Sequence, residues 1–209
     1  MTKPASRRSR RPYHHGDLKA ALLTVAEQIL EQHGVQELTL RAIARAAGVS
    51  HAAPNNHFGD LTGLLSELAA LGFRRFGAAL DDATKAAGDD PASRLKSMGT
   101  AYVGFARQHP GLFSLMFRSE RLDSARPALR DAIDEARRAL RDGIIGRAGG
   151  QALTPAQLAG RAAALWSLVH GFAVLLLDNR LDGLMRVFPG DHDADGLLDA
   201  VLTTTRVGD

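Results

Sequence analysis

Leu38 to Phe58, LTLRAIARAAGVSHAAPNNHF, is the stretch that decides the fold. Thr39 suits the N-cap of a helix, because a threonine hydroxyl accepts a bond from a free first-turn amide. Leu40, Ile43, Ala44 and Ala47 then fall at i, i+3, i+4 and i+7, one apolar stripe on a short helix. Ala44 is small where a second helix must cross. Gly48 follows, and glycine takes the left-handed conformation that ends a helix at little steric cost. Val49 can tuck under the turn, and Ser50 can cap the next helix. Two short helices joined by a glycine-containing turn form a helix-turn-helix, which places its second helix in a major groove. The competing reading of this spacing is an ordinary helical hairpin inside a bundle.

The second helix carries Pro54, which has no amide to donate and belongs in a first turn. Either Pro54 lies within that turn, or regular helix starts at Ala53-Pro54. In both cases few residues reach a groove, and the exposed candidates are Ser50, His51, Ala52, Asn55, Asn56 and His57. Asparagine pairs bidentately with adenine, alanine meets a thymine methyl, and histidine donates to guanine or phosphate. Thr39 and Arg41, at the start of the preceding helix, are further DNA-binding candidates. Phe58 reads as a plug for the domain core.

Upstream, residues 1–12 hold Lys3, Arg7, Arg8, Arg10 and Arg11 without an acid, the composition of a disordered basic arm. Beside a helix-turn-helix such an arm can touch phosphates or enter the minor groove, with Arg10 and Arg11 best placed; it can also be an inert tail. A first helix runs from Gly16 or Asp17 to about Gln32, with Leu18, Ala21, Leu22, Val25, Ala26, Ile29 and Leu30 on one stripe. Tyr13, His14 and His15 stand at its start, where side-chain donors and free amides can meet a phosphate. His14 and His15 make a poor metal pair, since adjacent helical residues face different ways.

Charge is distributed to match. The chain of 209 residues is +3 overall, but residues 1–80 carry +4 and five of the eight histidines, leaving −1 for the rest. That is a phosphate-binding front on a neutral body. With 45% hydrophobic residues the chain can bury a sizeable core. Without cysteine it has no disulfide, thiolate metal site or cysteine nucleophile. The basic N-terminus has no apolar run behind it, so it is no secretory signal, and Leu165 to Leu177 alone is too short for a membrane span. The expected location is cytoplasmic, with no membrane partner.

Downstream, Asp60 is placed to cap a helix reaching about Leu80, and Asp90-Pro91 starts another that Pro110 ends. Its inner face is Leu95, Met98, Tyr102 and Phe105, and the following segment is crowded with Phe113, Leu115, Met116 and Phe117. Such a cluster is plain core or the lining of a cavity between helices. On the cavity reading, Tyr102, Phe105, Phe113, Met116, Phe117, Trp166 and His170 are the candidate ligand-binding residues. Pro127 opens a further amphipathic helix to about Ile144, whose Arg137, Arg138 and Arg141 read as a solvated face.

Thr154-Pro155 begins a long helix to Leu177 that is apolar most of the way round, so both sides need cover. After a loop with a short turn near Leu184, a last helix spans Asp191 to about Thr205. These two long helices are expected to form a symmetric four-helix interface through Leu165, Leu168, Val169, Phe172, Leu176, Leu197 and Val201. His170 is expected to bond a backbone carbonyl.

TLRAIARAAGVS, the helix ending His57-Phe58 and the apolar helix after it resemble the N-terminal domain of the tetracycline-repressor (TetR) family of transcriptional regulators. YHHGDLKAALLTVAEQILEQHG is similar to that family's first helix, and WSLVHG at Trp166 to Gly171 resembles a C-terminal subtype named for Trp-His-Gly. The resemblance implies an all-α fold of about nine helices: a three-helix DNA-binding domain over residues 13–60, then a helical ligand-binding and dimerisation domain over 61–209. It implies a homodimeric regulator, a repressor, that binds a palindromic double-stranded DNA operator and is released by a small apolar or amphipathic molecule. Two positions depart from the family pattern: its frequent tyrosine is Asn55 here, and its lysine at the start of the next helix is Leu61. They leave a second reading open, a helical interaction protein with a degenerate helix-turn-helix. No nucleophile elbow, zinc-helix motif, dinucleotide fingerprint or carboxylate pair points to an enzyme, a metal or a cofactor.

Overall fold

The computed structural model describes residues 15–118, 120–147, 153–187 and 193–204. Among these the fold is all helical: α1 (His15–His33), α2 (Leu40–Ala46), α3 (Ala52–Phe58), α4 (Leu61–Ala86), α5 (Pro91–Gln108), α6 (Pro110–Arg118), α7 (Pro127–Arg147), α8 (Pro155–Leu177), α9 (Asp182–Val187) and α10 (Ala194–Thr204). The sequence reading of about nine helices missed α9, which it took for a turn.

Capping fixes most boundaries. Thr39 Oγ1 accepts from Ala42 N at 3.1 Å, Asp60 Oδ1 from Gly63 N at 2.6 Å, and Asp90 Oδ2 from Ser93 N at 2.8 Å. Thr154 and Gln157 form a reciprocal capping box at the start of α8. Pro110 ends α5 as expected, but it also begins α6, where its missing amide costs nothing.

α1 to α3 pack around Leu22, Ala26, Leu30, Leu38, Ile43 and Phe58, all buried. α4 belongs to both halves of the molecule. Its first turns (Leu64, Leu65, Leu68) close the three-helix unit, and its later turns (Phe73, Phe76, Leu80) enter a body built with α5, α6, α7 and α8. α10 lies on α5, tied by Lys96 to Asp199 and by Arg107 to Asp195 at 2.5 Å.

α8 has 23 residues and a mean hydropathy of 1.5 over its most apolar window. It is therefore long and apolar enough to cross a bilayer, which the shorter run considered in the sequence was not. Leu165, Val169, Phe172 and Ala173 bury one side of it in the chain's own body. Gly160, Ala164, Ser167 and Leu175 on the other side are exposed.

Candidate DNA-reading face and ligand cavity

The turn between α2 and α3 forms as the residues dictate. Gly48 adopts φ +66°, and Val49 N donates to Ala44 O at 3.0 Å. Ser50 does not supply the expected side-chain cap. α3 begins after His51, which has helical backbone angles and makes no side-chain cap bond, while Ser50 contributes only its carbonyl, accepting from Ala53 N at 3.0 Å. Pro54 is the third residue of α3, inside the first turn, so no ladder bond is lost. It is buried with Phe58, and together they aim the opposite face outward.

That outward face carries His51, Ala52, Asn55 and Asn56, all exposed, with Ser50 before them and His57 half-buried beside Phe58. Thr39 and Arg41 are exposed on the adjoining start of α2. Arg45, exposed in the last turn of α2, went unremarked in the sequence, where it reads as one more solvated helix residue. Arg10, Arg11, Tyr13 and His14 lie outside the described residues, as does the arm over 1–12. For His15 only the backbone, at the start of α1, is described.

Besides α4, three further contacts among the described residues join the three-helix unit to the body, one of them Arg121 Nη2 donating to Gln36 Oε1 at 3.2 Å. Glu31 on α1 accepts from the first free amides of α6, Gly111 N to Oε2 at 2.8 Å and Leu112 N to Oε1 at 2.9 Å. A Cβ on Gly111 would stand 2.8 Å from Leu30 O, so this close approach of α6 to α1 requires glycine. On the other side, Arg126, just before α7, donates through Nη2 to Phe58 O at the end of α3 at 3.4 Å. Nearby, Asp123 N donates to the fully buried Ser66 Oγ at 2.9 Å.

The body holds a partly open cavity of about 480 Å³ between α4, α5, α6, α7, α8 and α10. Tyr102, Met116, Phe117, Trp166 and His170 line it. Phe105 and Phe113 do not: they are buried behind it, Phe105 edge-on to Phe76 and Phe113 edge-on to Tyr102. Leu165, Leu168 and Val169, assigned from the sequence to a partner subunit, line the cavity instead. Phe172 is buried in the body as well, so Leu165, Val169 and Phe172 are not available to a second copy. Leu176, Leu197 and Val201 are half-buried. The sequence missed Phe73, Phe76 and Leu80 on α4 and Ile133 and Leu140 on α7, because a cavity wall shows the same helical period as core.

The polar part of the wall is a chain of three side chains. Trp166 Nε1 donates to Tyr102 Oη at 3.2 Å, and Tyr102 Oη lies 2.9 Å from His170 Nδ1. At Nδ1 the partner of His170 is thus a side-chain hydroxyl. Burial pushes the Tyr102 hydroxyl's pKa upward, opposed by the smaller effect of the Trp166 bond, and the phenol stays neutral.

A small exposed helix-turn-helix face on a helical body with a largely apolar cavity defines a helical DNA-reading regulator class. Residues 22–68 match the family described as bacterial regulatory proteins, tetR family, and residues 95–204 match the tetracyclin repressor-like C-terminal domain. The chain belongs to the TetR family of bacterial transcriptional regulators. It is similar to the uncharacterised HTH-type transcriptional regulator YobS of Bacillus subtilis (strain 168), at 31% identity over 93 residues, 44% of this chain and 47% of that one. The match thus spans about half the length of that curated relative. Among solved structures, a protein of unknown function from Rhodococcus sp. RHA1 is 34% identical with a TM-score of 0.75, over 93% of this chain and 94% of that one. The TetR family transcriptional regulator PfmR from Thermus thermophilus, 20% identical, shares the fold at a TM-score of 0.60 over 87% and 94% of the two chains.

Proposed function

We propose that this chain is a cytoplasmic repressor that binds a palindromic operator as a homodimer and lets go when a small apolar or amphipathic molecule fills the body cavity. We assign DNA reading to residues 13–60, with ligand binding and dimerisation in 61–209. The observation that carries the reading is α6. Its first amides are held by Glu31 of the reading unit, and Met116 and Phe117 at its other end line the cavity. A ligand pressing on Met116 and Phe117 moves a rigid helix whose start is fastened to α1. α4 supplies a second link, since Phe73 and Phe76 face the cavity while Leu64 and Leu65 hold the reader. The ligand shifts the dimer off DNA to the extent that it prefers the reader spacing that does not fit the operator.

For the dimer, the supporting feature is the uncovered side of α8. Ala164, Ser167 and Leu175 are exposed there, and the Cβ positions of Gly160 and Gly171 meet no atom within 4 Å. Only 22% of the apolar window of this helix is buried within one chain, and a second copy laid along it covers the remainder.

Fluorescence anisotropy with DNA from upstream of the chain's own gene, at two salt concentrations, is the test. Saturable binding that weakens with salt is the expected result. No binding at low salt would favour the degenerate helix-turn-helix reading, which the loss of the family's tyrosine and lysine at Asn55 and Leu61 supports.

A further inference from the structure

We infer that the body cavity takes an uncharged molecule with a hydroxyl head on an apolar body, the head donating its proton to Tyr102 Oη. The inference rests on the ligand-responsive reading above and narrows it to one chemical class.

The first argument is a count of hydrogen-bonding capacity at the Tyr102–His170–Trp166 wall. A phenol has one proton and two acceptor lone pairs. Trp166 Nε1 has only a proton to give, and it occupies one lone pair at 3.2 Å. Tyr102 and His170 lie 2.9 Å apart, and with the imidazole proton on Nε2 the phenol donates its own to Nδ1. That direction also lets the phenol accept and donate along one chain, where each bond polarises the next. The Tyr102 proton and one lone pair are then committed. One lone pair remains on the oxygen of a residue that lines the cavity, and it calls for a donor.

The second argument concerns charge. Two cations border the cavity, Lys96 and Arg137. Lys96 already pairs with Asp199, and its Nζ lies 3.4 Å from Thr203 Oγ1. Arg137 lies 3.6 Å from Asp134 and is largely exposed, where solvent screens it. A carboxylate entering the cavity would find the Trp166 proton committed, Lys96 already paired with Asp199, and Arg137 largely out in solvent beside Asp134. Desolvating it without a donor opposes binding strongly. An ether or ketone would set its oxygen against the Tyr102 lone pair. A hydroxyl meets none of these penalties.

The remaining wall selects the body of the ligand. Phe73, Phe76, Leu80, Leu95 and Leu140 are apolar, and the volume of about 480 Å³ lies within the range of small-molecule sites.

The test uses the full-length protein and its only tryptophan, Trp166, as the reporter. The emission is titrated with 4-pentylphenol, 4-pentylanisole and 4-pentylbenzoate, which share a body and differ in head: donor, acceptor and anion. The phenol is expected to bind about tenfold more tightly than the anisole, the factor one hydrogen bond supplies, with the benzoate weakest. Tyr102→Phe is expected to abolish the phenol's advantage over the anisole, because it removes the acceptor and frees the Trp166 proton for the ether oxygen. Should that variant fail to fold by circular dichroism, the wild-type series carries the test unaided. If the anisole or the benzoate equals the phenol, the hydroxyl assignment is overturned while the ligand cavity stands. If none of the three changes Trp166 emission or operator binding, the hydroxyl assignment falls together with the ligand-responsive reading.

Discussion

Glu31 on α1 accepts the backbone amide of Gly111, at the start of α6, at 2.8 Å, and its second oxygen takes the amide of Leu112 at 2.9 Å. A carboxylate at a helix N-terminus satisfies orphan amides and meets the positive end of the helix dipole. Here it does so from another helix, so the same two bonds hold a helix end and a domain junction. Glu31→Ala is expected to cost about 1–3 kcal/mol of stability, the range for charged hydrogen bonds, measured by urea unfolding. It is also expected to flatten the change in operator affinity between ligand-free and ligand-saturated protein.

Base reading and phosphate binding separate by residue type. Asn55→Ala is expected to lose about 1–3 kcal/mol of discrimination at one base pair of each half-site, with the salt dependence of binding unchanged. Arg41→Ala is expected to weaken binding to all sequences alike and to lower the salt slope by roughly one unit per subunit. A set of single-base operator variants titrated at several salt concentrations separates the two.

Tyr102 gives the protein a pH dependence at the alkaline end. Burial raises the pKa of its hydroxyl above the ordinary value of 10.0, so the unfolded chain ionises first. Its contribution to stability is therefore complete below about pH 10 and is lost as pH climbs from there through the higher folded value. Unfolding free energy between pH 9 and pH 11 should fall more steeply for the wild type than for Tyr102→Phe; parallel curves would contradict this.

Gly171 on the uncovered side of α8 has open space where a Cβ would stand. Gly171→Arg is expected to leave helicity by circular dichroism nearly unchanged and to convert the dimer to monomer in sedimentation velocity. A dimer that persists would place the subunit contact on another face.

The reading unit was legible in the sequence because each of its signals is local. Thr39, Gly48, Asp60 and the Leu40 to Ala47 stripe each act within a turn or two of the chain. The body was legible as helices but not as faces. Leu165 and Val169 carry the same apolar period whether they meet a partner, a core or a cavity, and only the packing of α4, α5 and α7 against them decides. The face left open on α8 is mostly glycine, alanine and serine, with Leu175 as its one large apolar side chain, so no apolar stripe marks it. Likewise, nothing in the sequence pairs Glu31 with Gly111 or Arg126 with Phe58, each contact spanning many residues.

Arg126 grips the carbonyl of Phe58 at the end of α3, and it sits just before α7, which forms another wall of the cavity through Ile133 and Leu140. Beside α4, the Glu31 and Arg126 contacts tie the reader to two different walls. A molecule bulging toward α6 pulls on one, and a molecule bulging toward α7 pulls on the other. On the proposed mechanism, effectors of equal affinity but different shape would turn the reader about different pivots, and release from DNA would be graded by the outline of the effector and not by occupancy alone.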